Sequence, residues 1–360
     1  MAAEIGVGII GFGLAGKVFH APFVSAVPGL KLQAFVERRT DEAHAAYPHT
    51  RTVRTVEELL ADPAIQLVVV ATPNPTHFAL AKQALAAGKH VVIDKPFAAS
   101  SAEARELIAL AAEHNVLVAP FHNRRFDGDF LTLKKLLADG VLGRLVTFES
   151  HFDRYRPIQR EGTWKEAGDN ANGLLFDLGP HLVDQAVALF GMPSTLTASV
   201  RSDRDSTAIE DAFDICLGYR VDGHDLRVWC RSSMLACDNA PRFLLHGTAG
   251  SFKKSGLDPQ EPALVSGAKV PQLGSAANWL QESEPHWGTL TIATNLNDPN
   301  TVVKSPVQTL LGDYRLFYAN VRDAIRGEAP LAIPSAAGEQ VIRLLELARV
   351  SSTEARTLTL

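Results

Sequence analysis

The sequence is poor in the groups that staple, anchor or metallate a protein. Of 360 residues only three are cysteine, Cys216, Cys230 and Cys237. Their odd number and the lack of C-x-x-C spacing fit neither a disulfide framework nor a cysteine-ligated zinc site. Buried thiols in a reducing compartment are the expectation. No H-E-x-x-H, no histidine pair at helical spacing with an acid, and no G-x-S-x-G occurs, so zinc and acyl-enzyme chemistry find no apparatus here. No apolar run approaches the ~18 residues of a membrane span. The opening MAAEIGVGIIG has no positive region before its apolar stretch, unlike a secretory signal. A soluble, cytoplasmic protein without a membrane partner is expected. Basic surplus is also missing: 35 Lys plus Arg stand against 40 Asp plus Glu, a net charge of −5, with no basic block. Nucleic acid is therefore not an expected partner.

What is present is ordinary globular material, 46% hydrophobic and 21% charged, in a chain long enough for about two domains at roughly 150 residues each. Short apolar runs at Ile5 to Ile10, Leu32 to Val36, Ile65 to Val70, His90 to Ile93 and Val116 to Ala119 alternate with helical patterns. One helix, Thr76 to Ala87, stops at Gly88. Another, Ser100 to His114, opens with the Ser100/Glu103 capping spacing. Such alternation predicts a Rossmann-type, doubly wound parallel sheet, with ligands beyond the carboxyl ends of its strands. After residue 122 the pattern changes to helices near Phe130 to Leu137 and Pro180 to Phe190. Strand-like alternation follows at Thr195 to Arg201, Ala212 to Tyr219, Asp225 to Ser232 and Arg242 to His246. The reading is α/β: a dinucleotide-binding domain over 1–122, then an α+β domain over 123–360 with an open, mostly antiparallel sheet. Leu257 to Asn300 reads as a long surface excursion, and helix returns from Tyr314, with a last helix near Ser335. No repeat or low-complexity tract is found.

Gly11-Phe12-Gly13-Leu14-Ala15-Gly16 follows the first strand and opens a helix, the context a dinucleotide fingerprint requires. Gly11 permits the tight turn, Gly13 the approach of backbone N–H groups to a pyrophosphate, and Gly16 close helix packing, while the helix start adds positive potential. Glu37, at the end of the next strand, suits ribose hydroxyls and NAD. Arg38 and Arg39 beside it suit a 2′-phosphate and NADP, or are simply a solvated loop. The choice between NAD and NADP stays open.

Thr72, Pro73, Asn74 and His77 lie on the loop after the fourth strand and can flank the cofactor, although His77 reads equally as the polar face of the next helix. Asp94-Lys95-Pro96 closes the fifth strand and puts a lysine near the nicotinamide end, poised for a carbinol oxygen; an exposed ammonium paired with Asp94 is the bland alternative. In the second domain, Asp177-Leu178-Gly179-Pro180-His181 marks a helix start near Pro180. Leu182, Val183, Ala186, Val187 and Phe190 form its apolar stripe, with His181 and Asp184 on another face. His181 can take a hydroxyl proton near neutral pH, with Asp177 or Asp184 to orient it. Alternatively Asp177 is a helix cap and His181 a packed residue.

Taken together, GFGLAG, ATPNPTH, DKP and DLGPHLVD resemble, in that order, the glucose-fructose oxidoreductase, inositol dehydrogenase and MocA family. FHNRRFDGDFLTLKKLLADGVLG and ESHFDRYRP further resemble its bacterial branch that includes NADP-dependent scyllo-inositol dehydrogenases and uncharacterised oxidoreductases. The resemblance implies a Rossmann domain, then an α+β domain whose open sheet often joins a homodimer or homotetramer. It implies Lys95 as the residue polarising the carbinol oxygen, His181 as general base and Asp177 as the group holding substrate or histidine. Asp94 departs from the family's glutamate by one methylene. Trp164-Lys165 resembles a Trp-Arg pair near the nicotinamide in some relatives, and Arg124 and Arg125 are candidate lining residues or structural partners. The implied activity is reversible oxidation of a secondary alcohol on a sugar or cyclitol, with Lys95 and His181 meeting at the cofactor. A non-catalytic dinucleotide-binding regulator is the alternative. Elimination or isomerisation with retained cofactor is a third possibility.

Overall fold

The structure, a computed structural model, describes residues 3–159, 162, 171–205, 207, 209–275, 279–298 and 301–360. In chain order the first elements are β1 (Ile5–Ile10), a π-helical turn (Gly16–His20), α1 (Ala21–Ala26), β2 (Leu30–Val36), α2 (Glu42–Ala46), β3 (Arg51–Val53) and α3 (Val56–Leu60). Next come β4 (Leu67–Val70), α4 (His77–Ala86), β5 (His90–Ile93), α5 (Ser101–Glu113), β6 (Val118–Pro120), α6 (Gly128–Ala138), β7 (Leu145–His151) and α7 (Leu174–Phe190). The remainder is β8 (Thr195–Arg201), β9 (Ala212–Val221), β10 (His224–Ser233), β11 (Phe243–Gly247), β12 (Gly250–Lys254), α8 (Gln260–Val265), β13 (Gly288–Ala293), β14 (Val302–Val307), α9 (Arg315–Ile325), α10 (Ser335–Glu354) and β15 (Leu358–Thr359).

The chain forms two compact units. The first holds Met1–Asn123, Gln260–Trp279 and Asp313–Ile342; the second holds Arg124–Pro259, Leu280–Gly312 and Arg343–Leu360. These units are thus interleaved in sequence. Apolar burial draws the later segments into the first unit: Tyr314, from the chain entering α9, packs on Phe23 of α1 with ring centroids 5.8 Å apart, and Phe317 packs on Phe121 at 4.8 Å.

In the first unit six strands pair in the order β3-β2-β1-β4-β5-β6, every pairing parallel. β1 and β4 are buried at every position, which is why they read as unbroken apolar runs rather than alternating ones. The order reverses between β1 and β4, and at such a switch point the strand ends leave a crevice for ligands. α5 starts as its sequence implies, with the Ser100 hydroxyl accepting from the Glu103 amide at 3.2 Å.

The second unit carries a nine-stranded sheet ordered β14-β13-β12-β11-β7-β10-β9-β8-β15. It is antiparallel except where β7 pairs with β10. Along β10, Leu226, Val228, Cys230 and Ser232 are buried, while the intervening residues are exposed or half-buried. The buried face lies under α7. That helix begins at Leu174, not near Pro180, so Pro180 sits in its interior and Asp177 in its first turn rather than at its cap. The expected polar face is also absent: His181 and Asp184 are buried like the apolar residues around them. Gly179 fits because an added methyl there would lie 2.9 Å from the Leu345 side chain. The segment 257–300 is no bare excursion either, since it contains α8 and β13. No helix among the described residues is long and apolar enough to cross a membrane.

Candidate functional site

The loop after β1 is built for close approach from outside. Gly11 has φ +97°, and a β-carbon there would lie 2.7 Å from the Ala71 carbonyl oxygen at the end of β4. At Gly16 a β-carbon would fall 2.4 Å from the Gly11 oxygen, so the turn closes only with glycine at both places. Gly13 is the opposite case. It is exposed, and a β-carbon there would meet nothing within 4 Å. That open space beside a helix start is what a pyrophosphate requires. Phe12 turns inward onto Phe35 at 4.9 Å, while Leu14 stays 62% exposed and Ala15 half-exposed. These residues fit a dinucleotide.

Glu37 is where β2 ends, but its carboxylate is turned into the protein. Thr40 Oγ1 donates to Oε1 at 2.6 Å and the Ala43 amide to Oε2 at 2.8 Å, and the residue is only 7% exposed. Arg38 and Arg39 next to it are exposed and make no ion pair among the described residues. The neighbouring Arg54 is occupied, pairing with both carboxylate oxygens of Asp41 at 2.8 Å.

His77 ties two candidate loops together. Its Nε2 meets the Thr72 carbonyl oxygen at 2.8 Å and its Nδ1 meets the Pro96 carbonyl oxygen at 2.9 Å, in a ring 1% exposed. It is therefore neither on a helix's polar face nor open to solvent. It holds the loop of Thr72, Pro73 and Asn74 against the turn of Asp94, Lys95 and Pro96, whose Lys95–Pro96 bond is cis.

Asp94 accepts the Lys95 amide at 2.8 Å and lies 3.8 Å from Nε2 of His20. Burial alone would push this carboxyl up. The imidazole of His20, with the charges of Lys95 and His77, outweighs it and holds the group below its usual range. His20 was not among the residues expected from sequence. It is fully buried in the π-helical turn, its Nδ1 lies 2.6 Å from the Tyr318 hydroxyl, and its ring packs on Phe121 at 4.4 Å. Burial pushes the Tyr318 hydroxyl far up, and the Asp94 charge pushes the same way.

The second unit carries the other half of the expected constellation. Asp177 Oδ2 accepts from Arg154 Nη1 at 3.1 Å, so its charge is balanced by a residue that went unremarked as a candidate. His181 is 6% exposed and lies parallel to Phe152, with centroids 6.4 Å apart and planes 25° apart. Asp184 is engaged with Arg125, whose Nε and Nη2 donate to its two oxygens at 2.8 and 2.6 Å. Arg125 is thus a structural partner inside this unit. Arg124 is buried, donates to Asp127 at 3.3 Å, and offers its own carbonyl to Gln185 Nε2 at 2.9 Å. Trp164 and Lys165 lie outside the described residues. The sequence signal that pointed to Arg154 and Phe152 was the ESHFDRYRP stretch itself, read only as a resemblance.

Residues 5–122 match an oxidoreductase family described by its NAD-binding Rossmann fold, and residues 134–360 match the C-terminal alpha/beta domain of the same family. The chain is 41% identical over 360 residues to the uncharacterized oxidoreductase YdgJ of Escherichia coli, covering 100% of both chains. It is 36% identical over 356 residues to the scyllo-inositol 2-dehydrogenase (NADP(+)) IolW of Bacillus subtilis, covering 99% of this chain and 96% of that one. Among solved structures, the yvaA oxidoreductase of Bacillus subtilis aligns with a TM-score of 0.92 at 35% identity, covering 99% of each chain. The YPO2259 oxidoreductase of Yersinia pestis aligns at 0.91 and 42%, covering 100% of this chain and 98% of that one.

Proposed function

The chain belongs to this oxidoreductase family, with its NAD-binding Rossmann domain, and from that premise we propose that it oxidises, reversibly, a secondary alcohol of a sugar or cyclitol. The observation that carries the reading is the open space at Gly13 in a chain that also keeps a lysine at the end of β5 and a histidine in α7. Bound nicotinamide supplies the hydride acceptor or donor, chemistry no side chain offers. In this reading Lys95 donates a hydrogen bond to the carbinol oxygen as charge develops there, and His181 removes the hydroxyl proton. Asp177 holds substrate or the base. Support for a polyol comes from IolW, whose name gives scyllo-inositol and NADP.

The cofactor is NADP in this proposal. Glu37, which would oppose a 2′-phosphate, spends both oxygens on Thr40 and Ala43, while Arg38 and Arg39 stand exposed beside it. A guanidinium pairs well with a phosphate dianion. Arg38→Ala or Arg39→Ala should weaken NADPH binding about 10- to 100-fold, from about 1.5–3 kcal/mol per charge-assisted bond, and leave NADH unchanged. Equal affinities for the two cofactors in the unaltered protein would overturn the preference.

The experiment for the activity is a panel of polyols and sugars with each oxidised cofactor, read at the absorbance of reduced nicotinamide. His181→Ala and Lys95→Ala should lower turnover by orders of magnitude with dinucleotide affinity retained. Silence across the panel, with cofactor still bound, would favour a regulator; product without net reduced cofactor would favour elimination or isomerisation. Self-association as a homodimer or homotetramer belongs to the same proposal and is read by light scattering. The three free cysteines support a reducing, cytoplasmic setting.

A further inference from the structure

One phenyl ring in the second unit gathers more charge than a core aromatic normally does. Phe152 is 3% exposed, and three guanidinium groups lie over it: Arg124 at 4.8 Å, Arg154 at 5.3 Å and Arg242 at 5.8 Å from the ring centroid. The His181 imidazole is stacked on the same ring. Two of the three cations are engaged internally. Arg242 donates to Gln185 Oε1 at 2.6 Å and to Ser150 Oγ at 2.5 Å, and Arg124 donates to Asp127. Arg154 instead reaches Asp177, with 21% of its side chain exposed.

The ring therefore connects the two members of the constellation. Its negative face attracts a guanidinium, which favours the Arg154 position from which the Asp177 ion pair is made. Its stacking on His181 restricts how the imidazole can turn. We propose that Phe152 and Arg154 are positioning residues of this site: Arg154 fixes and balances Asp177, and Phe152 carries both that guanidinium and the imidazole, so carboxylate and base keep one mutual arrangement. The inference rests on the reading of His181 as the base.

The arrangement has an electrostatic signature. Among the described residues, the charged groups on elements around the imidazole include Asp177 and Asp184 on α7 itself, Arg124, Arg125 and Asp127 before α6, Asp129 on α6, Asp153 and Arg154 after β7 and Arg242 before β11. Asp184 is already balanced by Arg125. Removing Arg154 takes away a positive charge and deprives the Asp177 carboxylate of that ion pair. Both changes favour imidazolium, so the midpoint of His181 should rise by about one pH unit, at the lower end of what one nearby charge does.

The test is histidine NMR on the full chain selectively labelled in its imidazoles, with the His181 signal assigned by its loss in His181→Gln. Arg154→Met should raise the His181 midpoint, making imidazolium about tenfold more favoured at a given pH. Arg154→Lys, which keeps the charge, should leave the midpoint close to that of the unaltered protein, and Phe152→Leu should reproduce part of the rise with Arg154 still present. Should Arg154→Met not fold, Arg154→Gln replaces it. Midpoints within about 0.3 unit in folded Arg154→Met or Arg154→Gln and in Phe152→Leu would overturn the proposal. Undiminished turnover in His181→Gln would instead overturn the underlying reading, so the two failures are told apart.

Discussion

The buried contact of His20 with Tyr318 and Asp94 should be measurable as stability. His20→Leu keeps side-chain bulk against Phe121 but leaves the Tyr318 hydroxyl, in a fully buried residue, without the imidazole that lies 2.6 Å away. An unsatisfied buried hydroxyl costs about 1–3 kcal/mol, and Asp94 also loses the imidazole that lies 3.8 Å away. Burial of the leucine returns about 1–2 kcal/mol. The net expectation at pH 7 is a loss of about 1–2 kcal/mol, read by urea denaturation. Adding Tyr318→Phe to His20→Leu removes the stranded hydroxyl, so the double variant should be more stable than the sum of the singles predicts, by at least about 1 kcal/mol. The loss also depends on pH. Asp94 is held below its ordinary value of 3.8 in the folded protein, so its contribution is fully present above that value and disappears as pH falls through the lower, folded one. His20→Leu removes the leading influences that depress it. The gap between the variant and the unaltered protein should therefore be widest near neutrality and should narrow on acidification below 3.8. Singles that add to within about 0.5 kcal/mol, or a gap that widens in acid, would refute the reasoning.

Gly13→Ala should fold normally, because nothing lies within 4 Å of the added carbon, yet bind dinucleotide at least about tenfold more weakly. Gly16→Ala should lose both stability and binding, since its carbon would sit 2.4 Å from the Gly11 oxygen; calorimetric titration with NADPH and thermal melts separate the two cases. Arg125→Ala takes the bidentate ion pair from the Asp184 carboxylate, whose side chain is 2% exposed, and should cost about 3–5 kcal/mol in urea unfolding. Ellman's reagent at pH 8 should modify Cys237, which is exposed, before the other two thiols. Burial pushes Cys230 up to about 12, and it pushes Cys216 up as well.

The parallel sheet was readable because β1, β4 and most of β5 are buried on both faces and so appear as plain apolar runs. β7 escaped notice because it is half-solvated, placing Thr147, Glu149 and His151 on the face away from Phe148 and Ser150. β14 escaped for a related reason, as an exposed edge strand bearing a lysine and a proline. At α7, Gly179-Pro180 imitates a start signal, but the helix begins a turn and a half earlier under the hold of tertiary packing. The glycine loop was legible because its geometry is local. The inward turn of Glu37 was not, since it depends on Thr40 and on the first turn of α2. Nor could any local pattern announce His20, whose partner Tyr318 is 298 positions away.

That separation has a consequence for how the protein is made. A ribosome that has delivered only the first 123 residues has produced every strand of the six-stranded sheet, yet not α9, which supplies Phe317 and Tyr318 to Phe121 and His20. The nascent nucleotide domain must carry those side chains uncovered while nearly two hundred more residues are translated, a window in which apolar surface invites aggregation or chaperone capture. Any gene fragment ending near residue 123 would make that transient exposure permanent.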